Sequence, residues 1–198
     1  MRYLIVCGGK IDKEFGLNEI KTDGIDAIIA ADSGMDFLYE NGVTPDIIVG
    51  DFDSATTNAL EYFERKGQTE IRRLNPIKDD TDTEYAIRLA ISEGARSIVV
   101  LGATGSRIDH VLGNISLLGI GLESGTDICI IDTNNRIRMA DKPVTIEKSA
   151  QYGRFVSLIA VTDDNEVSLK GFKYPVTDYS FDRFTSLGIS NEIVDDQA

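Results

Sequence analysis

The sequence predicts an α/β fold in two parts: a parallel sheet covered by helices on both faces, then a smaller antiparallel β-domain. Three observations predict it. Short runs rich in Ile and Val recur through the first two-thirds of the chain, and segments with apolar residues three and four apart separate them. Near residue 135 the texture changes to β-branched and aromatic stretches broken by Asp, Asn, Gly and Pro. Alternation of buried strands with helices favours a parallel sheet, whereas short strands between turn residues favour hairpins.

Runs at 3–7, 27–31, 47–49, 98–101 and 128–131 read as buried strands. Helical spacing occupies 35–39, 60–66, 83–93 and 111–122. Residues 155–161, 166–171 and 174–176 read as hairpin strands. The boundary falls between Asp132 and Asp141 and is drawn to give domains 1–134 and 135–198.

With 198 residues and 42% hydrophobic content, the chain can bury a core of its own. Its 33 acidic against 20 basic residues give a formal charge of −13. Such a charge repels phosphate backbones and anionic lipids, so neither nucleic acid nor a membrane is an expected partner. Most of these carboxylates serve as a solvated face. Cys7 and Cys129 each sit in an apolar run, as buried thiols do. A cytoplasmic address follows from the lack of a disulfide framework, of a signal peptide and of an apolar stretch of about 20 residues.

In an open parallel sheet, ligands bind beyond the carboxyl ends of the strands. Gly8-Gly9, Asp32-Ser33-Gly34, Gly50-Asp51-Phe52-Asp53-Ser54 and Gly102-Ala103-Thr104-Gly105 all follow apolar runs and should meet at one edge. If the backbone at 51–53 stays extended, Asp51 and Asp53 share a face about 7 Å apart, with Phe52 turned away. Paired carboxylates suit magnesium, which takes one or two of them together with substrate phosphates.

A second cluster, Lys78-Asp79-Asp80-Thr81-Asp82-Thr83-Glu84, opens a helix, where Asp, Thr and Glu also serve as caps. Asp79 and Asp82 share one helical face if both lie in the first turn. A third, Gly102-Ala103-Thr104-Gly105-Ser106-Arg107-Ile108-Asp109-His110, offers free amides and a guanidinium to phosphate. It matches neither the dinucleotide fingerprint nor the P-loop. His110, the single histidine, reads as a phosphate or carboxylate partner and not as a nucleophile.

In this order, and with Asn114 and a tail of Gly188-Ile189-Ser190-Asn191-Glu192, these strings resemble the thiamine pyrophosphokinases from Gly8 to about Glu192. The resemblance implies a magnesium-dependent transfer of the terminal diphosphate of ATP to the hydroxyl of thiamine, giving thiamine diphosphate and AMP. It implies that Asp51, Asp53, Asp79 and Asp82 hold magnesium, with Asp32 close to the reacting phosphates. Gly8, Gly9, Ser33, Gly34, Thr81, Thr104, Gly105 and His110 would serve the nucleotide, and Lys78 and Arg107 would neutralise developing charge. Asp109 is one candidate base among several carboxylates.

Ser190, Asn191 and Glu192 would line a thiamine pocket in a homodimer. The implied architecture is a Rossmann-like α/β domain followed by a β-sandwich. Some relatives stack a tryptophan in that pocket; this chain has none, so Tyr179, Phe181 or Phe184 would take its place. Three rivals are a pyrophosphokinase acting on a hydroxymethyl pterin, a non-catalytic nucleotide or thiamine sensor, and a magnesium-dependent phosphohydrolase. The Ser190-Asn191-Glu192 tail argues against the first, and the four aspartates against the second.

Overall fold

Apolar runs at the predicted positions become the strands of one sheet. The structure is a computed structural model describing residues 1–52, 57–75 and 80–198. In chain order its first unit contains β1 (Arg2–Val6), α1 (Lys13–Ile20), β2 (Ala27–Ala31), α2 (Gly34–Glu40), β3 (Ile47–Gly50), α3 (Thr57–Lys66) and β4 (Glu70–Arg73). There follow α4 (Asp82–Ser92), β5 (Ser97–Leu101), α5 (Ile108–Ser116), α6 (Leu118–Ser124), β6 (Asp127–Ile131) and β7 (Arg136–Arg138).

The strand order is β4-β3-β2-β1-β5-β6-β7, and all pairs are parallel except β6 with β7. Successive strands step outward from β1 to β4, and the chain then returns to add β5 on the other side of β1. The sheet therefore has its switch point between β1 and β5, where the loops leaving the two strands part.

Alternation divides the side chains between two cores. Tyr3, Ile5, Ile29, Ile47, Val49, Ile98, Val100, Ile128 and Ile130 pack on Ala86, Ile87 and Ala90 of α4 and Leu118 of α6. Leu4, Val6, Ala30, Ile48, Val99, Leu101 and Ile131 pack the other way, with Met35 and Leu38 of α2 and Phe63 of α3. Both faces being covered explains why the strands read as continuous apolar runs instead of alternating ones.

Two strands escape that signal because they are edges. β4 is Glu-Ile-Arg-Arg, with Arg72 bridging Glu70 at 2.6 Å and Glu93 at 3.0 Å. β7 presents Arg136 and Arg138 around Ile137, and Arg138 pairs with Asp127 at 3.1 Å. Charged edges resist pairing with other chains. Helix α1 was also not expected; it has eight residues and is opened by Asp12, whose carboxylate accepts from the Phe15 amide at 3.0 Å.

The two compact units divide after Asp141, into Met1–Asp141 and Lys142–Ala198. The sequence boundary at 134/135 lies in the turn between β6 and β7. In the second unit β8 (Asn165–Leu169) and β9 (Val176–Phe181) form an antiparallel pair, with a register shift between Val167 and Leu169. Single bridges join Glu147 to Gln197, Val156 to Asn191 and Phe172 to Ile193. Among the described residues, 155–161 form no strand, contrary to the expectation, because their pairing is limited to such isolated contacts. Phe172, Phe181 and Ile193 are its buried apolar residues.

Candidate active site

Asp32 follows β2 directly. Its backbone is left-handed, with φ of 49°, its amide donates to the Val49 carbonyl at 2.7 Å, and its own carbonyl accepts from Met35 at 3.2 Å to open α2. The turn thus locks the end of β2 to the end of β3. Asp51 follows β3, and the next residue, Phe52, has φ of 67°. That value is rare for a bulky side chain, and it replaces the extended backbone on which the pairing of Asp51 with Asp53 was reasoned. The Phe52 ring packs against the core beneath α2 and α3, and the Arg73 guanidinium lies 5.4 Å from its centroid. Asp53, Lys78 and Asp79 lie outside the described residues.

Asp82 is the first residue of α4. Thr81 is the N-cap, its hydroxyl accepting from the Glu84 amide at 3.2 Å, so the Thr-x-x-Glu string is read here as a helix start. The hydroxyl of Thr83 donates to Cys7 Sγ at 3.4 Å, and burial pushes the Cys7 thiol up to about 11.

Carboxylate oxygens of Asp32, Asp51 and Asp82, all half-buried, lie within 4.8 Å of one another. Three elements therefore deliver three carboxylates to one point. Like charges so close repel unless a cation shares them. A set of three hard oxygen donors fits magnesium by its chemistry. Asp51 and Asp82 come from the metal set implied by the resemblance; Asp32, placed there beside the phosphates, joins them.

The glycines divide by what surrounds them. A Cβ on Gly8 would lie 2.0 Å from Ser33 Oγ, on Gly9 2.2 Å from the Gly102 carbonyl oxygen, and on Gly34 2.0 Å from the Val6 carbonyl oxygen. These three permit the loops after β1, β2 and β5 to rest on each other. Gly105 differs, since its nearest neighbour would be 3.9 Å away. It is the glycine of this set with space for a ligand.

Arg107 and Asp109 pair with each other at 2.7 Å, both about two-thirds exposed, and His110 is exposed beside them. The hydrogen bond from Arg107 holds the Asp109 carboxyl down to about 2, which makes it a weak proton acceptor at neutral pH. An exposed pair contributes little to stability, so Arg107 can exchange it for a phosphate. Asn114 donates to the Ala103 carbonyl at 2.8 Å and ties α5 to the glycine turn.

One residue was overlooked. Asp132, directly after β6, accepts from the Thr104 hydroxyl at 2.8 Å and from the amides of Asn134 at 2.7 Å and Asn135 at 2.8 Å. Burial alone would raise its carboxyl, but these donors and the Asn135 side chain bring it below the usual range. The rule that found the other loops would have found it too, because it follows the fifth apolar run.

In the second unit, Asn191 is buried, its side chain accepting from the Tyr174 amide at 3.1 Å and donating to the Tyr174 carbonyl at 2.9 Å. Glu192 is held by Lys173 and Arg154, each at 3.0 Å, and these contacts lower its carboxyl. Ser190 is exposed at φ of 61°, its amide donating to Ser157 Oγ at 3.0 Å. Of the aromatics considered for stacking, Phe181 is buried, whereas Tyr179 is 40% and Phe184 86% exposed.

Comparison with known proteins gives this geometry its context. The family described as "Thiamin pyrophosphokinase, catalytic domain" matches residues 21–130. The chain belongs to the thiamine pyrophosphokinase family. A second match, "Thiamin pyrophosphokinase, vitamin B1 binding domain", covers residues 143–198. The thiamine pyrophosphokinase of Bacillus subtilis (strain 168) is 35% identical over 168 residues, which is 84% of this chain and 78% of the Bacillus protein. A crystal structure of the B. subtilis enzyme superposes with a TM-score of 0.87 at 32% identity, covering 100% of this chain and 92% of that one. The Geobacillus thermodenitrificans structure gives 0.84 at 30% identity, covering 100% and 90%.

Proposed function

We propose that the protein transfers the terminal diphosphate of ATP to the hydroxyl of thiamine, producing thiamine diphosphate and AMP, and that it does so with magnesium. The observation that carries this reading is the meeting of Asp32, Asp51 and Asp82 within 4.8 Å at the carboxyl edge of a sheet that belongs to this family. When bound there, magnesium supplies charge neutralisation to the polyphosphate.

The chain's own residues position the reactants. The thiamine oxygen forms a bond to the β-phosphorus, the bond from that phosphorus to the oxygen bridging to the α-phosphorus breaks, and AMP leaves with that oxygen. Arg107 turns from Asp109 toward the charge that develops on the transferred group. The hydroxyl proton passes to solvent or to a carboxylate of the site. Asp53, Lys78 and Asp79 complete the polyphosphate site on the strength of the resemblance.

Ser190 and Glu192 contact thiamine, and Asn191 shapes that segment from beneath. The Glu192 carboxylate, already between two cations, is anionic and complements the positive thiazolium. The protein acts as a homodimer in the cytoplasm, where Cys7 and Cys129, both buried and free, remain reduced. No described helix is long and apolar enough to cross a membrane.

The test is a mass-spectrometric product assay with ATP, magnesium and thiamine against a control without thiamine. AMP and thiamine diphosphate should appear one for one and only with magnesium. Inorganic phosphate released without thiamine would establish a phosphohydrolase instead.

A further inference from the structure

Among the described residues, five other than glycine have positive φ; four are Asp or Ser, and the fifth is Phe52 at 67°. A short polar side chain can offset the left-handed conformation by local hydrogen bonding, but a phenyl ring cannot. The conformation at Phe52 therefore persists because its surroundings impose it.

Those surroundings are specific. The half-buried ring packs against the core cluster that contains Met35, Leu38, Ala59 and Phe63, and the Arg73 guanidinium lies 5.4 Å from its centroid. It also rests on the end of β3. A Cβ on Gly50 would lie 3.1 Å from Phe52 Cε1, 3.2 Å from Cδ1 and 3.1 Å from the Asp32 Cα, so glycine at 50 lets the ring and the Asp32 turn close on the same spot. Gly50 is itself fixed, in register with Arg73 and with its carbonyl accepting from the Leu74 amide at 2.9 Å. Asp51 is thus a single residue between two anchors.

The anchor has something to resist. Carboxylate oxygens of Asp32, Asp51 and Asp82 lie within 4.8 Å of one another. Asp82 is carried by a helix and Asp32 by a hydrogen-bonded turn, so repulsion would displace Asp51 most readily. We infer that Phe52 is a positioning residue: its ring, pinned in the core, holds the Asp51 carboxylate against its two neighbours before any cation arrives. A cation then meets a site already formed. The inference rests on reading the three carboxylates as a cation site, and the experiment separates the two.

The first measurement is a double-mutant cycle in urea with chelator present. Asp51→Asn should raise the midpoint of the wild type by removing repulsion, and should leave that of Phe52→Ala unchanged, because there Asp51 has already moved away. The packing lost with the ring cancels within the cycle. The second is a titration with manganese alone, which accepts the same oxygen donors, followed by electron paramagnetic resonance at a temperature where every variant is folded. Phe52→Ala should bind at least about tenfold more weakly than the wild type, and Phe52→Leu, which keeps an apolar anchor, within about threefold. Ile128→Ala, a core truncation on the other face of the sheet, should bind as the wild type does.

An equal midpoint change in both backgrounds, or wild-type manganese affinity in Phe52→Ala, would overturn the assignment. So would wild-type affinity in Phe52→Gly, which lacks the ring yet adopts the left-handed backbone freely. If Asp51→Asn loses manganese while Phe52→Ala keeps it, the positioning role is wrong and the cation site stands. If the wild type binds no manganese but the midpoint changes differ as expected, Phe52 holds Asp51 and the cation reading is wrong.

Discussion

Asp32, Asp51 and Asp82 are three like charges held closer than water-exposed carboxylates would choose to be. If Asp51 holds magnesium as proposed, replacing it with Asn removes a ligand and relieves repulsion at once. The variant should therefore fold as well as the wild type without metal, yet lose at least about 100-fold in kcat, the equivalent of a few kcal/mol of transition-state stabilisation. Magnesium at a hundred times its dissociation constant stabilises a binding protein by about 2.7 kcal/mol; that thermal shift should be present in the wild type and absent in Asp51→Asn. Retained activity would remove Asp51 from the site. Cys7 lies just beneath, raised from its ordinary value of 9.0 to about 11 by burial. A raised thiol contributes stability fully below pH 9, and the contribution is lost as pH rises through 11. At pH 8 the folded protein should resist alkylation at both cysteines, and the urea-unfolded chain should react at both.

At the scale of elements, the buried strands and their helices were legible because both faces of the sheet are covered and apolar runs mark them. β4 and β7 were not, since edge strands are written in charge, and α1 is too short to establish a period. The site was half legible: the rule that ligands lie beyond strand ends located Asp32, Asp51 and the glycine turns. The positive φ at Phe52 was invisible, because nothing in the sequence around it distinguishes an extended residue from a left-handed one. The roles of Gly8, Gly9 and Gly34 in loop packing were equally hidden, being long-range contacts. Phe63 of α3 is fully buried, with Tyr62 and Tyr39 at centroid distances of 5.2 and 6.4 Å. Phe63→Ala should cost about 3–5 kcal/mol in urea denaturation; a loss under 1 kcal/mol would mean that α3 packs less firmly than the structure shows.

For the molecule as a whole, a two-part sequence yields two units, each matched by its own family description. The second unit exposes Phe155, Ile159, Val161, Tyr174, Phe184 and Leu187. A self-association that covers them accords with the proposed homodimer, and sedimentation should show twice the chain mass. The central claim, that three carboxylates on an α/β sheet serve transfer of an intact diphosphate to thiamine, is tested most directly by supplying ATP labelled at its β-phosphorus. Transfer in one step puts the label in thiamine diphosphate and none in AMP or ADP. Label appearing in ADP, with thiamine monophosphate as the first product, would contradict it.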